Sequence, residues 1–578
     1  MGRLPRGGAR RERETGAVRK EWGGRKRVAL VYPNSYAAGM SNLGFLLVHA
    51  QVNARPEALC ERAFLPGRGG RGPDARLAAR RANTPGEPAA GGTLESGRPL
   101  SDFDVVAVSL SYENDLLNLP GILAAGGVPP FREDRLASGG RHPLVVAGGF
   151  AASLNPEPCG VFADAVVVGD GERAVETLLD LGEGDPADPG FLRELSGVPG
   201  VYVPWGYLAV HEADGGLPAA GRLLSMRPRP GFPDRVARET LDLRALPPPP
   251  PVVLAEDTEL GGMSLVETSR GCPRMCGFCA ASHACPFFRE FPIERVRAAV
   301  DAAWPRRRKV GLIGAAVLDW GPFRELAREV LERGGSVSPA SVRADLVDAE
   351  VAEILSRSGH RTVALAPECG EAGLRSRVGK RIADDAFFDA AGRLVRAGIV
   401  SFKLYFLVGL PGTGREEEVA GITGFLREFR GRVLGEARAF GRLGTITAVL
   451  SPFVPKPSTP FQWAAMAGEG ELAARQEAVA AFVRTSPNLR WTGERPRDAV
   501  LQGYLGMSDR LVAEDLRRVR GGRLPGSAPG LGERLAATVH REKDSDEIFP
   551  WDVVEGGPEK EALRARYEAY LRGGATLP

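Results

Sequence analysis

Three cysteines, Cys272, Cys276 and Cys279, follow an apolar segment in the spacing C-x3-C-x2-C. Three thiolates on one short loop suit a cubane iron–sulfur cluster, because each thiolate can bind one iron while the fourth iron stays open to a ligand that is not protein. The alternative is a structural zinc site in which Cys285 supplies a fourth thiolate. Zinc cysteines usually form two C-x2-C pairs separated by a longer loop. We therefore favour a 4Fe-4S cluster and expect Cys285 to be a free thiol.

The cysteine loop resembles the cluster loop of the radical SAM superfamily. In that family the open iron binds the amino and carboxylate groups of S-adenosylmethionine, and an electron from the cluster cleaves a carbon–sulfur bond to give a 5′-deoxyadenosyl radical. The resemblance implies that Phe278, just before the last cysteine, packs on the adenine side of the cofactor. It also implies an external one-electron reductant, such as flavodoxin or ferredoxin.

The resemblance continues at Glu368, which closes the fourth expected strand of the same region. Family members carry a carboxylate there that binds the ribose hydroxyls of S-adenosylmethionine, and a carboxylate can accept both hydroxyl protons. The alternative is a salt bridge from Glu368 to Arg375 or Lys380, and those cations could instead bind the carboxylate of the cofactor. Cys369, adjacent to Glu368, is a candidate radical donor or covalent relay. A free cysteine is more commonly a small buried hydrophobe.

Further candidates lie on the third and fifth expected strands. Tyr405, Leu407 and Gly409 align with a family motif of the form G-x-I-x-G that flanks the adenine, although only the final glycine matches. The turn that begins at Gly409 offers a bare backbone that a flat base could approach. Ser338 and Arg343 are candidates for cofactor contact. Tyr405 is also a candidate for catalysis.

Alternating strand and helix patterns predict an α/β fold with two parallel-sheet units. The first is a doubly wound sheet of Rossmann or flavodoxin type, the second a partial (β/α)6 TIM-like barrel, and a small, mainly helical region follows. The expected strands are 28–32, 104–110, 143–147 and 165–168, then 265–268, 310–313, 336–342, 362–366, 402–408 and 445–450. The expected segments are a basic flexible tail at 1–27, the first unit at 28–245 with a Gly/Pro/Arg-rich insertion near 67–92, a Pro-rich linker at 246–262, the barrel at 263–465 and the helical region at 466–578.

The first unit resembles the cobalamin-binding-like domain that precedes the barrel in one branch of the superfamily. The resembling stretches are 28–33, 103–110, 146–149, Asn155 to Pro158 and the Gly-Asp-Gly-Glu turn at 169–172. In such a sheet a ligand lies beyond the carboxyl ends of the strands. A cobalamin site with a protein lower ligand uses a histidine in a D-x-H-x-x-G loop, but the loop at 33–39 has none. Either cobalamin binds without that ligand, or the fold persists without the cofactor.

The preferred function is a radical SAM enzyme acting on an unidentified substrate, with methyl transfer favoured if cobalamin is bound. A methylthiotransferase would need three cysteines for a second cluster in the first unit, where the sequence has Cys60 and Cys159 alone. A scaffold or sensor that holds a metal cluster without catalysis is the alternative from another class.

Composition bounds these possibilities. The chain has 578 residues, a formal net charge of +3, 43% hydrophobic and 25% charged residues. Such a small charge does not indicate a nucleic-acid-binding surface, although a local patch would be compatible with it. There is no apolar run long enough to span a membrane and no secretory signal pattern, so a cytoplasmic location is expected. Seven cysteines, three of them clustered, fit a reducing compartment with metal use.

Overall fold

The chain folds as two α/β units and a C-terminal region that contacts both. The computed structural model describes residues 14–65, 91–181, 184–212, 222–247, 249, 252–256, 258–285, 287–438, 441 and 444–574. Among these residues, no helix combines the length and apolar character required to cross a bilayer.

The N-terminal unit is built on a six-stranded sheet. Its strands are β1 (Lys26–Tyr32), β2 (Ala58–Phe64), β3 (Val105–Ser109), β4 (Leu144–Gly148), β5 (Ala165–Val167) and β6 (Val201–Tyr202). They lie in the order β2-β1-β3-β4-β5-β6, and every pair is parallel except β5 with β6. The order of the first five strands is that of a flavodoxin-like sheet, in which ligands bind where the strand order reverses, between β1 and β3.

Helices cover this sheet, which explains the continuous apolar runs in its strands. They are α1 (Leu43–Ala54), α2 (Leu119–Ala125), α3 (Arg132–Ala137), α4 (Phe150–Leu154), α5 (Glu172–Asp180) and α6 (Pro189–Ser196), with a single turn at Tyr36–Gly39. Helix α1 begins after Asn42, whose side chain accepts a hydrogen bond from the backbone N–H of Phe45 at 2.9 Å.

The second unit contains seven parallel strands in two sheets. They are β7 (Ser264–Glu267), β8 (Lys309–Ile313), β9 (Ser336–Pro339), β10 (Thr362–Glu368), β11 (Ser401–Val408), β12 (Ile446–Pro452) and β13 (Leu489–Gly493). One sheet has the order β7-β8-β9 and the other β10-β11-β12-β13. The intervening helices are α7 (Ile293–Ala303), α8 (Phe323–Glu332), α9 (Ala349–Arg357), α10 (Ala372–Arg377), α11 (Asp384–Arg396), α12 (Arg415–Arg438) and α13 (Glu469–Arg484), with a short helix at Ala280–His283.

The C-terminal region packs against both units. Its helices are α14 (Pro496–Met507) and α15 (Lys560–Leu571), with short helices at Ala513–Arg517 and Leu531–Leu535. Four small strand pairs complete the structure: Glu14–Thr15 with Leu254–Ala255, Tyr207–His211 with Leu223–Pro228, Val236–Ala237 with Val554–Glu555, and Ser269–Arg270 with Arg289–Glu290.

The prediction of a flexible tail at 1–27 is wrong for residues 14–27. The buried side chain of Glu14 forms a salt bridge with Arg62 at 2.8 Å, and the ring of Trp22 meets Phe103 edge-on at 4.9 Å. The basic composition indicated a solvated segment, but these contacts hold it against the sheet. Residues 1–13 and most of the predicted insertion near 67–92 lie outside the described residues.

The six strands expected in the second unit are all present, with the third ending at Pro339 instead of 342. A seventh strand, β13, lies within the region predicted to be mainly helical and pairs in parallel with β12. The sequence there predicts a possible strand at 491–493, and the structure extends it to Leu489–Gly493.

Candidate active site

The cysteine loop lies at the carboxyl end of β7 and is closed at its base by the antiparallel pair Ser269–Arg270 and Arg289–Glu290. Gly271 has a positive φ of 75°, and a Cβ there would stand 2.5 Å from the carbonyl oxygen of Phe287. Met275 also has a positive φ, 53°, which side chains rarely adopt. Such strain persists where the surroundings fix the backbone, and it clusters at functional sites.

Two contacts from distant parts of the chain fix the loop. The N–H of Gly277 donates to the carbonyl of Val378 at 2.8 Å. The guanidinium of Arg566, on α15, donates to the carbonyl of Met275 at 2.7 Å. The C-terminal helix therefore takes part in holding the cysteines.

The three thiols share one electrostatic neighbourhood. Burial raises the pKa of Cys276 to about 12, with Lys380 opposing the rise and Cys279, Glu368 and Cys272 adding to it. Burial likewise raises the pKa of Cys279. Buried thiolates of this kind need a cation to stabilise them, and bound metal deprotonates a coordinating thiol.

A single-ion site is not supported. Within the described chain, no three His, Cys, Asp or Glu side chains converge as ligands of one metal ion. Three cysteines that bind three different irons of a cubane have no need to converge in this way. Cys285 has a different set of charged neighbours: burial raises its pKa, and Arg238, Asp170 and Arg289 influence it. Among the described residues, Cys285 does not join the loop cysteines in a group of metal ligands.

A carboxylate and an ammonium group lie beside the thiols. Glu368 ends β10 with a φ of 63°, just after an irregularity in the pairing with β11, and such bulges redirect side chains. Its carboxylate accepts a hydrogen bond from Lys380 Nζ at 2.8 Å. The salt bridge offered by the sequence as an alternative thus forms with Lys380. Arg375 is fully buried and donates to backbone carbonyls and to Asp384 instead.

A cavity of about 550 Å³ separates the carboxyl edge of the N-terminal sheet from the base of the cysteine loop. The N-terminal unit contributes the turns at Gly148–Gly149 and 169–172, and the second unit contributes Arg270, Cys285 and Arg289. Farther in, the lining becomes apolar along β3 and α5. A neighbouring cavity of about 760 Å³ continues along α1 and α7. The first cavity occupies the place where an open α/β sheet binds its ligand.

Comparison with known proteins agrees with this arrangement. Residues 266–420 match the family described as the radical SAM superfamily, and residues 44–204 match the family described as radical SAM proteins, N-terminal. The chain belongs to the radical SAM superfamily.

Relatives of this radical SAM protein span most of its length. An uncharacterized protein of Methanocaldococcus jannaschii is 26% identical over 441 residues, covering 76% of this chain and 79% of that protein. The radical S-adenosylmethionine methyltransferase TsrM from Kitasatospora setae, solved with cobalamin and a 4Fe-4S cluster, is 16% identical with a TM-score of 0.46, covering 95% of this chain and 99% of TsrM. The cobalamin-dependent radical enzyme OxsB, solved with aqua-cobalamin, is 15% identical with a TM-score of 0.45, covering 70% and 52%. Since both TM-scores lie below 0.5, membership rests on the family matches.

The other predicted cofactor residues of this radical SAM protein are spread around the strand ends. Phe278 is half-buried and packs against the largest core cluster. Ser338 is half-buried on β9, opposite Gly311 of β8. Arg343 pairs with Asp345 at 2.8 Å. Burial lowers the pKa of Arg343, but Asp345 and then Cys276 raise it overall, so Arg343 lies within electrostatic reach of the Cys276 thiol.

The fifth-strand candidates divide by exposure. Tyr405 is 37% exposed and shares a face of β11 with the half-buried Leu407. The N–H of Gly409 donates to Glu418 at 2.9 Å, and a Cβ at Gly409 would stand 2.6 Å from Leu472. This amide is therefore not the bare surface that the sequence suggested, because Glu418 satisfies it.

Cys369 is 2% exposed, and its pKa is raised by burial and then by the charge of Glu368. This environment favours the small buried hydrophobe that the sequence left open as the alternative.

The sequence interpretation missed what the Gly-Asp-Gly-Glu turn contacts. Asp170 pairs with Arg270 at 2.9 Å and with Arg289 at 2.6 Å, and Glu172 pairs with Arg270 at 2.6 Å. These two arginines form the strand pair that closes the cysteine loop. The turn is therefore an electrostatic link between the N-terminal sheet and the loop. The sequence signal for this link was the presence of basic residues, Arg270 and Arg289, on both sides of the cysteine loop.

The Asn155-to-Pro158 motif also makes contacts between units. Asn155 donates to the carbonyl of Ser508 at 2.7 Å, and Glu157 pairs with Arg510 at 2.8 Å. Both partners belong to the C-terminal region. The motif thus anchors that region to the N-terminal sheet.

Proposed function

We propose that this protein is a radical SAM enzyme that binds a 4Fe-4S cluster through Cys272, Cys276 and Cys279. The bound cluster would supply the electron that cleaves S-adenosylmethionine to a 5′-deoxyadenosyl radical, which then acts on an unidentified substrate. The observation that carries the proposal is the electrostatic neighbourhood that the Cys276 thiol shares with Cys272, Cys279, Glu368 and Lys380 at the strand ends. The strands within residues 263–465, β7 to β12, would form the partial barrel around this site.

The neighbouring side chains have separate roles in this proposal. Glu368 would accept the ribose hydroxyls, since one salt bridge leaves most of its acceptor sites free. Lys380 fixes the direction of that carboxylate. Phe278 would pack on the adenine side. Arg343 adds a positive charge near the thiols.

We also propose that the N-terminal unit holds a corrinoid in the cavity of about 550 Å³, with methyl transfer as the reaction. The position of the cavity at the strand-order reversal, facing the base of the cysteine loop, supports this proposal. The loop at 33–39 has no histidine. Its Asn34 amide donates to Asp115 at 2.8 Å. The corrinoid would therefore bind without a lower ligand from that loop.

Anaerobic reconstitution tests the proposal. Protein with iron, sulfide and a reductant, either dithionite or flavodoxin with its reductase, is incubated with S-adenosylmethionine. Chromatography then measures 5′-deoxyadenosine and S-adenosylhomocysteine. 5′-Deoxyadenosine alone supports radical chemistry without methylation, and both products with added cobalamin support methyl transfer. Cluster assembly with neither product would overturn the enzyme proposal in favour of a scaffold or sensor.

Methylthiolation is less well supported. It needs a second cluster held by three cysteines of the N-terminal unit, where Cys60 and Cys159 are the candidates. Each is 2% exposed and lies in a different apolar core cluster. Because these two thiols pack into separate cores, they do not form a cluster site.

A further inference from the structure

Arg238 is a buried cation without a matching anion. It is 8% exposed, and its Nε has no hydrogen-bond partner. Burial lowers the pKa of Arg238, and the nearby Cys285 thiol opposes that shift. Since an unpaired buried guanidinium is costly, an arginine left in this state points to a ligand that supplies the missing charge.

The structure fixes Arg238 in place before any ligand arrives. The backbone N–H of Arg238 donates to the carbonyl of Glu555 at 2.9 Å. The backbone N–H of the next residue, Glu239, donates to the carbonyl of Val168 at 3.1 Å. A Cβ on Gly169 would stand 2.9 Å from Cγ of Arg238, so the glycine leaves room for the arginine side chain. The site is thus preorganised by three separate segments of the chain.

The nearby carboxylates are already occupied. Asp170 pairs with Arg270 and Arg289. Glu239 pairs with Arg173 at 3.1 Å. Arg238 is therefore the lining cation that is left for a ligand in the cavity of about 550 Å³.

The cavity has a graded lining. Arg238 and Cys285 lie where the two units meet, and the interior beyond them is lined by aliphatic side chains of β3, β4 and α5, including Val105, Val146 and Leu178. A matching ligand would carry an anionic group next to an apolar end. A guanidinium binds phosphate and carboxylate oxygens in preference to neutral groups.

We propose that Arg238 binds an oxyanion of the ligand in this cavity. The inference rests on the proposed function, under which the oxyanion is the phosphodiester of the corrinoid nucleotide tail and the apolar interior holds the terminal base. Free phosphate or a phosphorylated small molecule has the same chemistry and is the other source that the experiment must separate.

Corrinoid binding to wild-type protein and to Arg238→Gln tests the proposal. Hydroxocobalamin carries the phosphodiester, whereas cobinamide lacks it. Arg238→Gln should weaken hydroxocobalamin binding about 10- to 100-fold, the range for one hydrogen bond to a charged group, and leave the affinity for cobinamide unchanged. Arg238→Lys should keep part of the affinity for hydroxocobalamin. The matched control is Arg173→Gln, because Arg173 is 57% exposed and already paired.

The outcomes separate the two proposals. If Arg238→Gln weakens the binding of both corrinoids equally, or of neither, the oxyanion site is overturned while corrinoid binding stands. If wild-type protein binds neither corrinoid, the corrinoid part of the proposed function fails, and a thermal-shift titration with inorganic phosphate decides the site. The oxyanion site is supported if phosphate raises the unfolding temperature of the wild-type protein and both Arg238→Gln and Arg238→Lys change that rise while their circular dichroism stays unchanged. The site is rejected if phosphate gives no such rise.

Discussion

The two α/β units carry their binding features at the same ends of their strands but in different forms. In the second unit, reactive side chains are concentrated in one strained loop, with Met275 at a positive φ and three thiols in one neighbourhood. In the N-terminal unit the feature is a cavity, bounded by glycine turns and one unpaired arginine. The comparison shows that metal-ligating residue types concentrated on a short loop are visible in sequence. A cavity depends on what several separate elements leave uncovered.

The largest expected effect distinguishes Cys276, one of the three proposed cluster ligands, from Cys285, which lines the cavity. Cys276→Ser should reduce bound iron and 5′-deoxyadenosine formation more than about 100-fold. Mutating a residue that only orients a metal ligand costs about 10- to 100-fold in metal affinity or activity, and loss of the ligand itself should cost more. Iron analysis and visible absorption after reconstitution measure this. Cys285→Ser is the matched control and should retain the iron. Loss of iron in that control would restore the four-thiolate interpretation.

The next effect concerns the link between the units. Asp170→Asn removes the charge between Arg270 and Arg289, whose side chains are each 16% exposed. Breaking a buried pair costs about 3–5 kcal/mol, and because asparagine still accepts a hydrogen bond we expect about 2–3 kcal/mol. The thermal unfolding midpoint should fall by several degrees at neutral pH. An unchanged midpoint would mean that the link does not hold the units.

The same variant has a pH signature. Burial raises the pKa of Asp170, but the Arg289 hydrogen bond and the charge of Arg270 lower it overall. A carboxyl group whose pKa is lowered by folding stabilises the folded protein at pH values above its usual pKa. This contribution is lost as the pH falls through the folded-state pKa. The stability difference between wild type and Asp170→Asn should therefore shrink below about pH 4. Melting curves from pH 3 to 7 would measure the trend, and a constant difference would contradict it.

A smaller effect is expected at Glu368, the carboxylate proposed to bind the ribose hydroxyls. Glu368→Gln should weaken S-adenosylmethionine binding about 10- to 100-fold, because a hydrogen bond to a charged acceptor is replaced by a neutral one. Equilibrium binding to the reconstituted protein measures this. Glu371→Gln changes an exposed glutamate nearby and should leave affinity intact. Equal affinities for Glu368→Gln and wild type would remove Glu368 from the binding site.

The smallest effect tests the C-terminal helix. Arg566→Met removes the donor to Met275 and should speed the loss of cluster absorbance in air about 3- to 10-fold, the equivalent of one ordinary hydrogen bond. Arg572→Met, at the C-cap of the same helix, changes a side chain that is 70% exposed and should have no effect. Matching decay rates in the two variants would show that Arg566 does not hold the loop.

Sequence patterns were sufficient where the relevant contacts are local. The three cysteines and most of the parallel strands follow from spacing and from continuous apolar runs. The strand β2 was not predicted, because Glu61 and Arg62 interrupt its apolar run. Sequence patterns were insufficient where the partner is distant: Glu14 is held by Arg62, and Asp170 by Arg270 and Arg289. Arg238 is harder still, because its significance comes from a partner that the rest of the fold does not provide.

Residues of both units line the same cavity, so a ligand there would contact both at once. By mass action, its binding energy would be added to the resistance of the joined units against heat and proteolysis. Preparations short of that ligand would then lose intact protein first through opening at the interface. Yield and half-life in such preparations would rise with ligand supply even if synthesis stayed constant.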